Sequence, residues 1–203
     1  MNPDFGILVL AAGKASRFGS DKLLAAMPDG QPVISHSLLP LQAMAKRYQL
    51  KLCVVTRADN HALINYLIEK DIDYTLCPDA HLGMGHSIAH GIKSTPLWQG
   101  WMIALADMPN LTNNVVEALI TNIIQNPHQV VRPSIVQEEK DIPSHPVYFP
   151  QFYKLKLNQL TGDTGAKEII QQQKLITIDN TELLMDVDTP ECIKSLSQNN
   201  QTH

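Results

Sequence analysis

Cysteine is scarce and odd in number: Cys53, Cys77 and Cys192 stand far apart among 203 residues, with no CxxC pair. Such spacing excludes a disulfide scaffold and a thiolate zinc site, and fits buried or free thiols in a reducing compartment. No excess of basic charge exists either. Sixteen Lys and Arg face 20 Asp and Glu, for a net charge of -4. That balance argues against broad binding to nucleic acid or to an anionic membrane, both of which want a basic face. The apolar run near the amino end, Phe5 to Ala12, has no basic region before it. It is too short for a signal peptide or a membrane span and reads as a buried strand, so a cytosolic protein is expected. Two phosphate-loop fingerprints are missing as well. Ala15 stands where GxGxxG needs its second glycine, and no lysine follows Gly19 as a Walker loop requires. No nucleophilic Ser or Cys triad is evident.

What is present is alternation. With 44% hydrophobic and 18% charged residues, the chain is long enough to bury one core, expected over residues 1–197, with a polar tail at 198–203. Short apolar runs predict strands at Phe5–Leu10, Leu52–Thr56, Tyr74–Cys77, Trp101–Leu105, from Val130, at Val147–Phe149 and at Leu175–Ile178. Helical spacing predicts Val33–Tyr48, kinked or split by Pro40, then Asp59–Glu69 with Asp59 as N-cap, Met84–Lys93, and Thr112 capping a helix to about Gln125. Phe152–Leu160 is a weaker helical candidate, and Pro190 suits the first turn of a last short helix. Repeated strand–helix–strand units predict a three-layer, Rossmann-like α/β fold: a mostly parallel sheet with helices on both faces. Ligands of such sheets lie beyond the carboxyl ends of the strands.

The segment after the first strand, Leu10-Ala11-Ala12-Gly13-Lys14-Ala15-Ser16-Arg17-Phe18-Gly19-Ser20-Asp21-Lys22-Leu23-Leu24, is the richest in chemistry. Glycines six apart let the backbone approach a ligand, and its exposed amides can meet phosphate oxygens. Arg17 offers a guanidinium fork and Lys22 a compact charge. A plain surface loop with incidental cations is the competing interpretation. Asp107 follows a strand at its carboxyl end, near Pro109, and is placed to hold a magnesium ion; helix capping competes poorly as its role, because Thr112 is the better cap. Asp186 and Asp188, two apart, would share a face in an extended segment; Asp188 could equally cap the helix begun by Pro190. Gly83-Met84-Gly85-His86-Ser87 reads either as a base or ribose contact through its amides and the Ser87 hydroxyl, or as a glycine-rich helix start. His86 is expected to face solvent, and His145 is either a substrate contact or a structural imidazole.

These segments carry a resemblance. LAAGKASRFGSDKLL is similar to the LAAGxxxRMGxxKLL signature of the MobA-like nucleotidyltransferases, molybdenum cofactor cytidylyltransferases above all. Gly83–Ile88 resembles that family's GMGxSL loop, Leu105–Pro109 its LGDMP or LADMP motif, and Ser144–Val147 its GHPV. Thr161–Lys167 stands where SGDxGAR is usual, and Asp186–Glu191 matches DVDTPE. The resemblance implies a fold of the nucleotide-diphospho-sugar transferase type. It implies transfer of a nucleotide from an NTP to the phosphate of molybdopterin, with release of pyrophosphate. Ala12, where guanylyltransferases of the group carry glycine, points to CTP. By resemblance the nucleotide is bound by Leu10, Ala11, Ala12, Gly13, Arg17, Lys22, Gly83, Ser87 and Asp107, with Arg17, Lys22 and Asp107 catalytic. Asp107 and Asp188 would hold Mg²⁺, and His145, Asp163 and Lys167 would meet the acceptor. A molybdoenzyme or its chaperone would be the protein partner; no nucleic acid or membrane partner is expected. Two positions depart from the pattern: Lys167 replaces an arginine and Ser144 a glycine, which bears on the acceptor rather than on the nucleotide. A guanylyltransferase, a sugar- or alcohol-phosphate nucleotidyltransferase, and a non-catalytic nucleotide-binding chaperone are the alternatives.

Overall fold

The computed structural model describes residues 4–13, 21–137, 140–170 and 176–179. Arg17, Asp186, Asp188, Pro190, Cys192 and the polar tail lie outside the described residues. The strands are β1 (Gly6–Leu10), β2 (Lys51–Arg57), β3 (Tyr74–Cys77), β4 (Gly100–Leu105), β5 (Val131–Gln137), β6 (Lys140–Pro143), β7 (Val147–Pro150) and β8 (Ile176–Asp179). The helices are α1 (Val33–Tyr48), α2 (His61–Glu69), α3 (Met84–Ser94), α4 (Asn113–Gln125), α5 (Lys154–Asn158) and α6 (Lys167–Ile170). Three short 3₁₀ turns, Lys22–Leu24, Ala80–Leu82 and Gln151–Tyr153, complete the described elements.

One sheet runs in the order β3-β2-β1-β4-β7-β5-β6, with β8 pairing β5. β1 is parallel to both β2 and β4, and β2 to β3, while β6 and β7 run against the rest. The expected doubly wound, mostly parallel sheet is present. Successive side chains of a strand point to opposite faces, and β1 feeds two cores accordingly. Ile7 and Val9 join Leu38 and Leu41 of α1, Leu63 and Leu67 of α2, and Leu119 and Ile120 of α4. Leu8 and Leu10 join Ile88 and Ile92 of α3 and Leu157 of α5 on the other face. A strand buried on both sides explains why β1 reads as a continuous apolar run.

Some local expectations need correction. Pro40 does not split α1: it is buried within one continuous helix. Leu38 and Leu41 anchor the turns on either side of it to the sheet, so packing offsets the missing N–H. The cap of α2 is Asn60, whose side chain accepts from the Leu63 amide, and the helix starts one residue later than expected. Asp59 is drawn instead to Arg57, 3.1 Å away. Phe152–Leu160 divides into a 3₁₀ turn followed by α5. β6 was not anticipated, because Lys140-Asp141-Ile142-Pro143 shows no strand-like apolar pattern. Thr112 does cap α4, accepting from the Val115 amide.

Beneath α3, the wholly buried Trp101 donates its indole N–H to the Thr95 hydroxyl at 2.9 Å. That hydroxyl in turn donates to the Gly91 carbonyl at 2.8 Å. Thr95→Val keeps the shape but leaves both groups unpaired in a dry setting, so unfolding free energy should fall by about 1–3 kcal/mol. Urea titration should show a lower midpoint with an unchanged slope; an unmoved midpoint would mean that water already reaches the indole.

Candidate active site

A doubly wound sheet opens its ligand crevice where the winding changes face, beyond the carboxyl ends of the strands. That point lies between β1 and β4. α1 and α2 carry the chain outward from β1 to β3 over one face, and α3 brings it back to β4 over the other. A cleft of about 930 Å³ opens there, walled by residues beyond β1, β2, β3 and β4.

Its floor is the end of β1. The Ala11 amide donates to the Val55 carbonyl at 2.8 Å, and the Ala106 amide to the Leu10 carbonyl at 3.1 Å, so the ladder continues past the strand ends. Ala11 and Ala12 are buried into opposite cores. Their methyl groups leave the cleft side to backbone, which a bulkier pair would cover. Asp107 follows directly. The next amide, of Met108, donates to the buried Ser37 hydroxyl of α1 at 3.0 Å, which pins the turn that presents the carboxylate.

Lys22 arrives from a 3₁₀ turn capped by Asp21. Its Nζ lies 2.6 Å from Asp107 Oδ2, with side chains only 15% and 23% exposed. Charge-assisted pairs of this length are strong when partly screened from water. The cationic turn and the acidic turn, 85 residues apart in sequence, thus close on one point.

The wall beyond β3 has a different logic from the one the glycines had implied. Gly83 has φ +119°, and a Cβ there would sit 2.4 Å from Asp163 Oδ1 and from the Gly162 carbonyl. A Cβ on Gly85 would press the Thr161 backbone at 2.7 Å. The Gly85 amide donates to the Gly162 carbonyl at 2.8 Å, and the Gly162 amide donates to His86 Nδ1 at 3.2 Å. These glycines therefore let segment 161–163 dock on the start of α3, which brings Asp163 to the cleft. His86, expected to face solvent, is part of that dock. Although His86 and His90 stand four apart on α3, a spacing able to bind metal, they separate: His90 Nε2 meets the Thr75 hydroxyl at 2.9 Å.

Leu10, Ala11, Ala12, Gly13, Lys22, Gly83, Ser87, Asp107 and Asp163 all line the cleft. Lys167 does not; it is exposed at the start of α6. His145 is not a lining residue either, but it sits close enough to Asp107 and Arg132 to feel both charges. Burial pushes its pKa down to about 4; Asp107 opposes that shift and Arg132 adds to it. Arg17 and Asp188 lie outside the described residues. Arg57 went unnoticed in the sequence, yet it ends β2 and lines the cleft. Its position at the carboxyl end of a parallel strand was the available signal. Cys53 and Cys77 are free thiols, and burial raises both, Cys53 to about 11, so neither is an activated thiolate.

A doubly wound sheet with a cation and a carboxylate meeting over β1 and β4 is the frame of a nucleotidyltransferase. The chain belongs to the family of the MobA-like NTP transferase domain, which residues 7–177 match. It is 28% identical, over 90% of both chains, to the purine catabolism protein PucB of Bacillus subtilis (strain 168). Its fold is shared by Rv0371c of Mycobacterium tuberculosis H37Rv, at TM-score 0.76 and 20% identity over 96% of this chain and 98% of the other. A manganese complex of Rv0371c also matches, at TM-score 0.72 and 19% identity over 96% and 98% of the two chains. CMP:2-keto-3-deoxy-manno-octonic acid synthetase complexed with CTP shares it too, at TM-score 0.76 and 14% identity over 98% and 100%.

His145 gives a pH signature. Its pKa is about 4 in the folded chain against 6.5 for an unperturbed imidazole. The unfolded chain therefore binds more protons between those values, and stability falls as pH drops from 6.5 toward 4. The loss should reach up to about 3 kcal/mol. Urea unfolding of metal-free protein across that range should show the decline, and His145→Gln should flatten it; an equal slope in both proteins would assign the decline to other groups.

Proposed function

We propose that this nucleotidyltransferase transfers the nucleotide of CTP to the phosphate of molybdopterin, in a magnesium-dependent reaction that releases pyrophosphate, in the cytosol. The observation that carries the reading is the Lys22–Asp107 contact over the alanine floor of β1. CTP is supported by Ala12 and by the CTP complex of a protein with this fold. No helix among the described residues is long and apolar enough to cross a membrane.

The donors fit a hard divalent cation. Among the described residues no group of three or more His, Cys, Asp or Glu could cage a metal. Mg²⁺ held by one or two carboxylates plus phosphate oxygens and waters needs no such cage. Asp107 would be one ligand and, by resemblance, Asp188 the second; the manganese complex of Rv0371c supports a divalent ion in this fold. When bound, the ion neutralises charge on the triphosphate.

The chain's own residues do the rest. An acceptor phosphate oxygen forms a bond to the α-phosphorus as the bond from that phosphorus to the α,β-bridging oxygen breaks, and pyrophosphate leaves. The attacking oxygen is already anionic, so no general base is needed. Catalysis rests on alignment and on charge stabilisation, as in phosphoryl transfer generally. Lys22 stands where negative charge grows on the leaving group, and the strand-end backbone of β1 lets the nucleotide approach closely. Arg57 supplies a further cation on the β2 side of the cleft.

One observation favours a different acceptor on the same chemistry. Lys167, which takes the place of the family's arginine, is exposed and is not among the residues that line the cleft. A sugar- or alcohol-phosphate acceptor, or GTP as donor, is the second reading. A non-catalytic chaperone would not need the Lys22–Asp107 pair.

Thermal-shift measurements with CTP, GTP, ATP and UTP, each with and without Mg²⁺, should show the largest rise for CTP with the metal. Pyrophosphate release with molybdopterin then tests the acceptor. Asp107→Asn should lower turnover by roughly 10²–10³ while CTP binding survives. Near-normal turnover in that variant would remove Asp107 from the chemistry.

A further inference from the structure

We infer that Asn60, acting through Asp21, is a positioning residue that sets the Lys22 ammonium on its mark; the inference rests on the reading of Lys22 as a triphosphate contact. The turn bearing Lys22 cannot do this alone. It spans three residues and is closed by two long i→i+3 bonds, Leu24 N–H to the Asp21 carbonyl at 3.1 Å and Ala25 N–H to the Lys22 carbonyl at 3.3 Å. Isolated 3₁₀ turns are weak, and a lysine stem has four rotatable bonds.

Asp21 supplies the stiffness with both of its oxygens. Oδ1 accepts the Leu23 amide at 3.1 Å, and Oδ2 accepts Asn60 Nδ2 at 2.6 Å. Asn60 is itself fixed. It is buried, its Oδ1 caps α2 by accepting the Leu63 amide at 3.1 Å, and its backbone N–H donates to the Arg57 carbonyl at 3.3 Å. The surroundings settle which end of the amide is which, because the oxygen must face an N–H and the nitrogen a carboxylate. Few side chains can do both jobs. Aspartate at position 60 would cap α2 equally well but could not donate to Asp21, and serine would cap but not reach. The Lys22 turn is therefore tied at its start to α2, through Asp21 and Asn60, while the Lys22 ammonium meets Asp107, whose turn is tied to α1 by Ser37.

The test uses the full chain in three forms: wild type, Asn60→Asp, and the exchange variant Asp21→Asn with Asn60→Asp. The exchange variant has the wild-type net charge and restores an amide–carboxylate bond of reversed polarity. Two readouts are taken beside the melting temperature. The first needs no ligand: reductive methylation of Lys22, followed by peptide mass spectrometry with exposed Lys70 as internal reference. The second is the affinity for Mg²⁺–CTP by calorimetry. Asn60→Asp should raise Lys22 methylation several-fold relative to Lys70 and weaken Mg²⁺–CTP about tenfold, and the exchange variant should return both to within threefold of wild type. Unchanged Lys22 reactivity in Asn60→Asp overturns the inference. So does failure of the exchange variant to recover, since a direct contact from Asn60 or a general loosening of α2 would not be repaired by it. Altered Lys22 reactivity with unaltered nucleotide affinity would uphold the tether and instead refute Lys22 as the triphosphate contact.

Discussion

Two opposite charges held 2.6 Å apart at the mouth of a parallel sheet set the terms for the rest of this molecule. Taking a carboxylate and an ammonium partly out of water is costly, and their attraction compensates only if the geometry is held. The fold holds it from both sides. β1 and β4 are neighbours in register from Gly6↔Trp101 to Leu10↔Leu105, so their ends emerge side by side. Asp107 follows β4 by two residues, and Lys22 opens the 3₁₀ turn that Asp21 caps. The pair brings two turns remote in sequence to one point in the cleft wall.

The division of labour across the sheet follows from the same geometry. One face, covered by α1, α2 and α4, contains the larger core and contributes hydroxyl and amide groups that brace the charged turns. The other face, covered by α3 and α5, brings a second segment of chain against the start of α3. The cleft is thus bounded on one side by rigid packing and on the other by backbone-to-backbone docking. Reactions that depend on alignment more than on proton transfer suit such a site, because stiff walls lower the entropic cost of bringing two anions together.

Much of this was legible in the amino-acid sequence. Strands buried on both faces declare themselves as apolar runs, and β1, β3 and β4 were found nearly to the residue. Asp107 was legible because it follows the carboxyl end of a strand, and Lys22 because it closes the glycine-containing segment whose pattern resembles the family signature. What escaped had a common cause: it depended on a partner remote in sequence. Asp59 looks like a helix cap until Arg57 claims it and Asn60 takes the role. Gly83 and Gly85 read as cleft glycines, and the sequence does not show that Gly162 and Thr161 occupy the space their missing side chains leave. Arg57 ends an ordinary strand and shows no motif at all. Periodicity reports which face a residue takes, not what another segment will place opposite it.

The dock between Gly83–His86 and Thr161–Asp163 has a consequence for how such a protein can change over time. Segment 161–163 is held to α3 by a main-chain bond from Gly85 and by the His86 imidazole, while Ala166, Ile169 and Ile170 beyond it pack on the same core as α3. The exposed positions beyond Gly165, Lys167 and Glu168, can therefore be exchanged without redrawing the wall on which the segment rests. Those exposed side chains are free to drift while the cleft wall stays intact, a modular arrangement in which small edits leave the scaffold unchanged.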